Sequence, residues 1–254
     1  MKFLDMCKAV ALIALLSLSA APALAQSGSL TTTYDVFNSR AGVTLDVTPS
    51  SNMTIDSFDM NIGDRSSTVG SGAGLPANVA VYWRAGTAAG FSNSSTGWTL
   101  LGKATVVSQG RNLATHLPIG GLALVGGQTY GLYIDVENFS EDVRARVFAS
   151  PTPVSNADIT ISPGENKGSP AFSSETFAPS LFSGAVYYTK VPATTCASEG
   201  YTGTKLTWCK NICENGLTGA TLDIWIHRWI NRYRDLPYCA REKEEGPPQE
   251  QPPA

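Results

Sequence analysis

Four cysteines, Cys196, Cys209, Cys213 and Cys239, crowd into one short stretch near the end of the chain. Four sulfurs at close quarters make either two disulfides or one tetrahedral zinc site. Zinc sites use close cysteine pairs at both ends of the ligand set, and here only Cys209 and Cys213 form a close pair. Disulfides are therefore the favoured chemistry. Three connectivities are available to four cysteines. Cys209 and Cys213 lie four apart on a helical pattern, where both side chains point the same way along the axis, so bridging them would distort the helix. The expectation is that Cys196 and Cys239 each pair with one of Cys209 and Cys213, with the choice between partners left open.

Two other groups of side chains have chemical potential. Tyr82, Trp83, Phe91 and Trp98 would make a stacking platform for sugar rings if their faces were presented together. Against this, Trp83 and Trp98 each keep parity with aliphatic neighbours, which places both in a core. Asp135, Glu137, Glu141 and Asp142 supply the hard oxygens that calcium prefers, without the spacing of a calcium loop, and read more simply as a solvated turn. Catalysis has less to work with. His116 is the single histidine before the cysteine-rich stretch, and neither a Gly-x-Ser-x-Gly elbow nor a His-Glu-x-x-His helix is present. No spacing singles out a carboxylate pair among the 21 acids, although a hydrolase with an unrecognised carboxylate site stays a rival reading. No enzyme activity, cofactor or metal is expected.

The elements that must position these groups follow from periodicity. Between residues 30 and 190, short runs alternate with period two and are separated by glycine-rich turns. Val79, Val81 and Trp83 share one face. Tyr130, Leu132, Ile134 and Val136 share another, opposite Tyr133 and Asp135; Trp98, Leu100, Ala104 and Val106 keep one parity. Many short strands without crossover helices predict a mainly β fold, an antiparallel, jelly-roll-like β-sandwich. Beyond Pro192 the period changes. Leu206, Cys209, Ile212 and Cys213 fall at helical spacing, with Asn215-Gly216 as the stop. Leu222, Trp225, Ile226, Trp229, Ile230 and Tyr233 repeat at three and four residues, with Thr218 or Thr221 as cap and Leu236-Pro237 as terminator. The aromatic face and the basic face, with His227, Arg228, Asn231 and Arg232, would suit a membrane surface. Packing as the core of a small disulfide-stapled α-hairpin is the simpler reading.

Residues 1–25 read as a signal peptide: Lys2 and Lys8, an apolar run from Ala9 to Leu18, and Ala23-Leu24-Ala25 before Gln26. The remaining organisation is a sandwich over 26–190, a cysteine-stapled module over 191–241, and an acidic, proline-rich, disordered tail over 242–254. No second apolar stretch reaches the roughly 20 residues of a spanning helix. Hydrophobic residues at 43%, charged residues at 15% and a net charge of −3 describe a globular chain with no electrostatic pull toward nucleic acid. The expected location is the periplasm, cell surface or exterior, with a surface glycan or protein as partner.

Several ordered strings carry a resemblance. Val81-Tyr82-Trp83-Arg84-Ala85-Gly86-Thr87, Gly90-Phe91, Gly97-Trp98-Thr99-Leu100-Leu101-Gly102, Gly127-Gln128-Thr129-Tyr130, Ser155-Asn156-Ala157-Asp158-Ile159-Thr160 and Gly184-Ala185-Val186-Tyr187-Tyr188-Thr189 run through residues 30–189. Together they resemble a domain of exported bacterial surface proteins of the IPTL-CTERM or PEP-CTERM kind. The resemblance implies an exported, surface-associated β-sandwich with no established catalytic residues. The apolar span and basic cluster of such a sorting signal do not follow the sandwich here. Instead, Cys196 to Cys239 is similar to a cysteine-rich C-terminal module of secreted bacterial proteins of unknown function. The expectation is thus a non-catalytic structural or adhesion-type protein, with a glycan-binding module as the alternative.

Overall fold

The computed structural model describes residues 25–240. The leader expected over residues 1–25, all but its last residue, and the tail expected over 242–254 lie outside the described residues. Fourteen strands and two helices occur among those described. They divide into two compact units, one running through Ala193 and the other starting at Thr194.

The first unit is an antiparallel β-sandwich. Its strands are β1 (Gln26–Thr31), β2 (Asn38–Arg40), β3 (Gly42–Pro49), β4 (Met53–Gly63), β5 (Pro76–Ala85), β6 (Thr99–Val107) and β7 (Ala114–Leu117). They continue as β8 (Leu122–Leu124), β9 (Tyr130–Val136), β10 (Arg144–Phe148), β11 (Val154–Ser155), β12 (Ile159–Lys167), β13 (Thr176–Phe182) and β14 (Gly184–Lys190). The hydrogen-bonded path runs β1-β14-β4-β10-β13-β12-β3-β9-β5-β6, with β7 and β8 added to β4. Strand β10 is the corner. Arg144 and Ala145 pair with β4, while Val147 and Phe148 pair with β13. The fold-over lets Ile55, Phe58 and Met60 of β4 and Val186 and Tyr188 of β14 share one core with Leu45 and Val47 of β3 and Leu132 and Ile134 of β9. Each such side chain, fully buried, contributes about 1.5–3 kcal/mol. The alternation in β9 falls as its residues require: Tyr130, Leu132, Ile134 and Val136 point inward.

One parity needs correction. Strand β6 carries a bulge opposite Val81 and Tyr82, which pair with Gly102 and Leu100 and leave Leu101 as the extra residue. Ala104 and Val106 pack on the core as their spacing predicts, and Leu101 joins them. An inserted residue flips every side chain on its far side. Leu100 is therefore exposed, and Trp98 lies on the outer face with Tyr133 and Phe172, not in the core.

The second unit holds α1 (Gly203–Cys213) and α2 (Gly219–Tyr233). Gly216 has φ 65°, the left-handed geometry that lets the chain turn between them. Thr218 is the N-cap of α2 in extended conformation, without a side-chain cap bond. At its other end Arg234, at φ 63°, closes the helix by donating its N–H to Ile230. The stop thus precedes Leu236-Pro237. The bridges are Cys196–Cys209 and Cys213–Cys239, each with Cα atoms 5.7 Å apart, well within the disulfide range. Trp229 is fully buried against Tyr201 and Tyr233, and its Nε1 donates to Asp235 Oδ1 at 3.0 Å. Ile230, expected in the core, is instead 40% exposed and takes no part in the module's buried cluster. No helix among the described residues is long and apolar enough to cross a membrane.

Candidate functional site

The outer face of the second sheet layer carries a row of paired residues. Thr176, Lys167, Gly42, Asp135, Ala80 and Lys103 sit opposite one another across β13, β12, β3, β9, β5 and β6. Strands lie about 4.8 Å apart, so residues in one row are immediate neighbours. Asp135 is flanked by the two smallest members, Gly42 and Ala80. A methyl group on Gly42 would come within 2.9 Å of Asp135 Oδ1 and 2.7 Å of the Tyr133 ring. The glycine makes room for both.

Tyr82 and Tyr133 pair directly on β5 and β9, on the same face as Asp135. Two segments rise beside them: residues 86–98, between β5 and β6, and residues 168–175, between β12 and β13. Phe172 comes from the second. Its ring centroid is 4.9 Å from that of Tyr133, 5.1 Å from Tyr82 and 6.0 Å from Trp98. The pairs with Tyr133 and Tyr82 are edge-to-face, a geometry that contributes about 0.5–1.5 kcal/mol each beyond area burial. Phe172 has φ 62°, uncommon for a residue with a side chain, and its N–H donates to the Tyr133 hydroxyl at 3.2 Å. Trp98 is fixed by its Nε1 donating to the carbonyl of Phe91 at 3.0 Å.

Between these walls lies a cavity of about 490 Å³, lined by Tyr82, Ser95, Asp135, Glu137, Pro170 and Phe172 among others. Asp135 is 2% exposed, and its Oδ1 has no hydrogen-bond partner. Burial, reinforced by the charge of Glu137 and opposed by Lys103, pushes its carboxyl up to about 7. Lys103 forms an ion pair with Glu137 at 2.5 Å. Burial likewise raises the Tyr82 hydroxyl, so it stays a neutral donor. A second, smaller cavity of about 320 Å³ is lined by Arg84, Phe91, Asn93, Thr96 and neighbouring small residues. There the guanidinium of Arg84 stacks 3.3 Å over the Phe91 ring, while its Nε and one terminal nitrogen make no hydrogen bond.

The four aromatic candidates are thereby divided. Tyr82 and Trp98 border the groove, Phe91 is exposed beside it on Arg84, and Trp83 faces the core next to Tyr130. The four acids separate too. Asp135 and Glu137 share the groove, whereas Glu141 pairs with Arg144 and Arg65. Among the described residues the group of potential metal ligands with donor atoms within 4.8 Å is Cys196, Cys209 and Cys213, all in disulfides. His116 Nδ1 lies 2.9 Å from Asp59, beside the Tyr187 ring, and its other nitrogen makes no hydrogen bond among the described residues. Phe172 escapes sequence reading: its one signal is a turn-forming stretch, Gly168-Ser169-Pro170, with no periodicity.

No protein-family model matches the chain, and no curated protein does either. Among solved structures the chain is similar to the cysteine protease and lectin-like domains of Cwp84, a surface-layer-associated protein of Clostridium difficile. The identity is 15% and the TM-score 0.34, over 60% of this chain and 33% of that one. The match thus spans about a third of the other protein's length.

Proposed function

We propose that the sandwich is the binding module of an exported, surface-associated or secreted adhesion-type protein, and that its outer groove takes a polyhydroxylated ligand such as a sugar ring. The observation that carries this reading is Asp135, a buried carboxyl with an unpartnered oxygen beside a cavity walled by Tyr82 and Phe172. Sugar recognition needs both parts: an aromatic face for the apolar side of the ring, and a fixed polar group for its hydroxyls. Tyr82 and Asp135 project from strands β5 and β9 into the groove, between the two segments that wall it. Export is supported by the N-terminal pattern and by two disulfides, bonds that persist in oxidising compartments. A glycan array followed by calorimetric titration tests the reading. Tyr82→Ala and Asp135→Asn are each expected to weaken a positive hit at least tenfold. An array without hits, or affinity indifferent to both substitutions, overturns it.

One feature favours a second reading. A carboxyl held near 7 next to another acid two residues further on, just past the end of β9, is the arrangement of a general acid with a partner carboxylate. Chromogenic glycosides separate the two. Turnover abolished in Asp135→Asn with binding retained favours a hydrolase; binding without turnover favours the lectin-like module.

A further inference from the structure

Lys167, the last residue of β12, has no exposed surface, and no ion pair among the described residues includes it. Its Nζ instead meets three neutral oxygens: Asn93 Oδ1 at 2.5 Å, Thr176 Oγ1 at 2.5 Å and Ser92 Oγ at 3.3 Å. Burying an ammonium without a carboxylate favours the free amine, and burial lowers this lysine accordingly, with Glu165 opposing. A desolvated lysine with a free lone pair is a nucleophile. The group it touches is a carboxamide. Beside both stands a proton path, since the Ser92 hydroxyl donates to Glu165 Oε2 and lies 3.4 Å from Asn93 Oδ1.

We propose that Lys167 and Asn93 become joined by an intramolecular isopeptide bond. The Nζ lone pair attacks Cγ of Asn93; the Nζ–Cγ bond forms and the Cγ–Nδ2 bond breaks. One proton leaves Nζ, passes through Ser92 Oγ to Glu165, and is delivered to Nδ2, which departs as ammonia. The step needs no oxidant, reductant or cofactor. Asn93 is exposed and lines the smaller, open cavity, so the ammonia has a way out. Proximity supplies the drive: a held amine and amide react as if at very high effective concentration. The product ties residues 86–98 to the end of β12, at the root of 168–175. These are the two segments that wall the groove, in a unit whose described residues contain no cysteine. The inference does not depend on what the groove binds.

Peptide mapping of the purified full chain, denatured and digested with trypsin, decides it. Cutting after Lys or Arg yields 85–103, which contains Asn93, and should cut after Lys167. An isopeptide blocks that cut. The expected species is 85–103 joined to the uncut 147–190, lighter than the two separate peptides by one ammonia. A free, full-mass 85–103 peptide together with complete cleavage after Lys167 overturns the proposal. Asn93→Ala, on an exposed loop, is expected to restore cleavage after Lys167 in a chain with an unchanged far-ultraviolet spectrum. Glu165→Gln is expected to lower the cross-linked fraction at least tenfold. Full cross-linking in that variant would overturn the relay.

Discussion

The two units are held together by different means. In the helical module, Cys196, Cys209, Ile212 and Trp229 are the apolar side chains buried among the described residues, and two of the four are the two ends of one disulfide. The sandwich buries a continuous core drawn from most of its strands without a cysteine. Its core is large enough to hold charged groups as well. Arg111 and Arg146 are both buried, and both donate to the carbonyl of Val36, with Arg146 also bonded to Phe37 and Asp64. Burial and the neighbouring Arg111 push Arg146 down to about 10. Size explains the contrast. A unit of roughly 45 residues buries too small a share of its surface to offset the ordering of its chain, so it needs covalent restraint. A sandwich several times longer has apolar burial to spare for polar knots.

The sharpest way to break this contrast is to remove the bridges. Cys196→Ser combined with Cys213→Ser opens loops of 13 and 26 residues, each worth about 3 kcal/mol of stability. Together they exceed what the small core supplies. Helical ellipticity is expected to vanish while the β signal persists. A module that keeps its helices under reductant would show that aromatic packing alone suffices. Next in size is Trp229→Ala with both bridges intact, expected to cost about 3–5 kcal/mol. It removes a fully buried ring and strands Asp235 without its indole donor. Hydrogen exchange should report the loss in α1 and α2 alone.

A smaller effect probes the one carboxyl the sandwich buries at its groove. Asp135 titrates near 7 in the folded chain against 3.8 ordinarily, so the fold holds its proton more tightly. The stability this contributes is full below about pH 4 and is lost as pH rises through 7. Asp135→Asn is therefore expected to match the native chain at pH 4 and to exceed it by roughly 2–4 kcal/mol at pH 8. Equal denaturation midpoints for the two proteins at pH 8 would mean that the carboxyl is solvated.

How far these features are legible in the sequence depends on how local their causes are. The alternation of β9 and the three-and-four repeat of α2 are visible because each comes from one element burying one face. The disulfide partners follow in part from helix geometry, which forbids Cys209–Cys213 and leaves the rest to the folded chain. Trp98 is misplaced by parity because the bulge at Leu101 leaves no local mark: Leu100-Leu101-Gly102 alternates equally well in either register. The groove is hidden for a different reason. Asp135 looks like a solvated acid until Phe172, 37 positions away, closes over its neighbours. Lys167 and Asn93 meet over a still longer separation, and neither carries a pattern of its own.

The smallest expected effect lies at Phe91, and it separates packing from recognition. The ring is 46% exposed, and Arg84 stacks on it from below. A cation–π contact at an exposed site contributes about 0.5–1 kcal/mol, and Phe91→Ala also frees a guanidinium that has two nitrogens without hydrogen bonds. Water can solvate those nitrogens once the ring is gone, which offsets part of the loss. The stability change should therefore stay within about 1 kcal/mol, far below that of Trp229→Ala. Ligand affinity offers a separate readout. If the smaller cavity extends the groove, affinity for a glycan that binds the native chain should fall several-fold in Phe91→Ala while the melting temperature barely moves. If affinity holds, the binding surface ends at Trp98, and Phe91 serves only to cover Arg84.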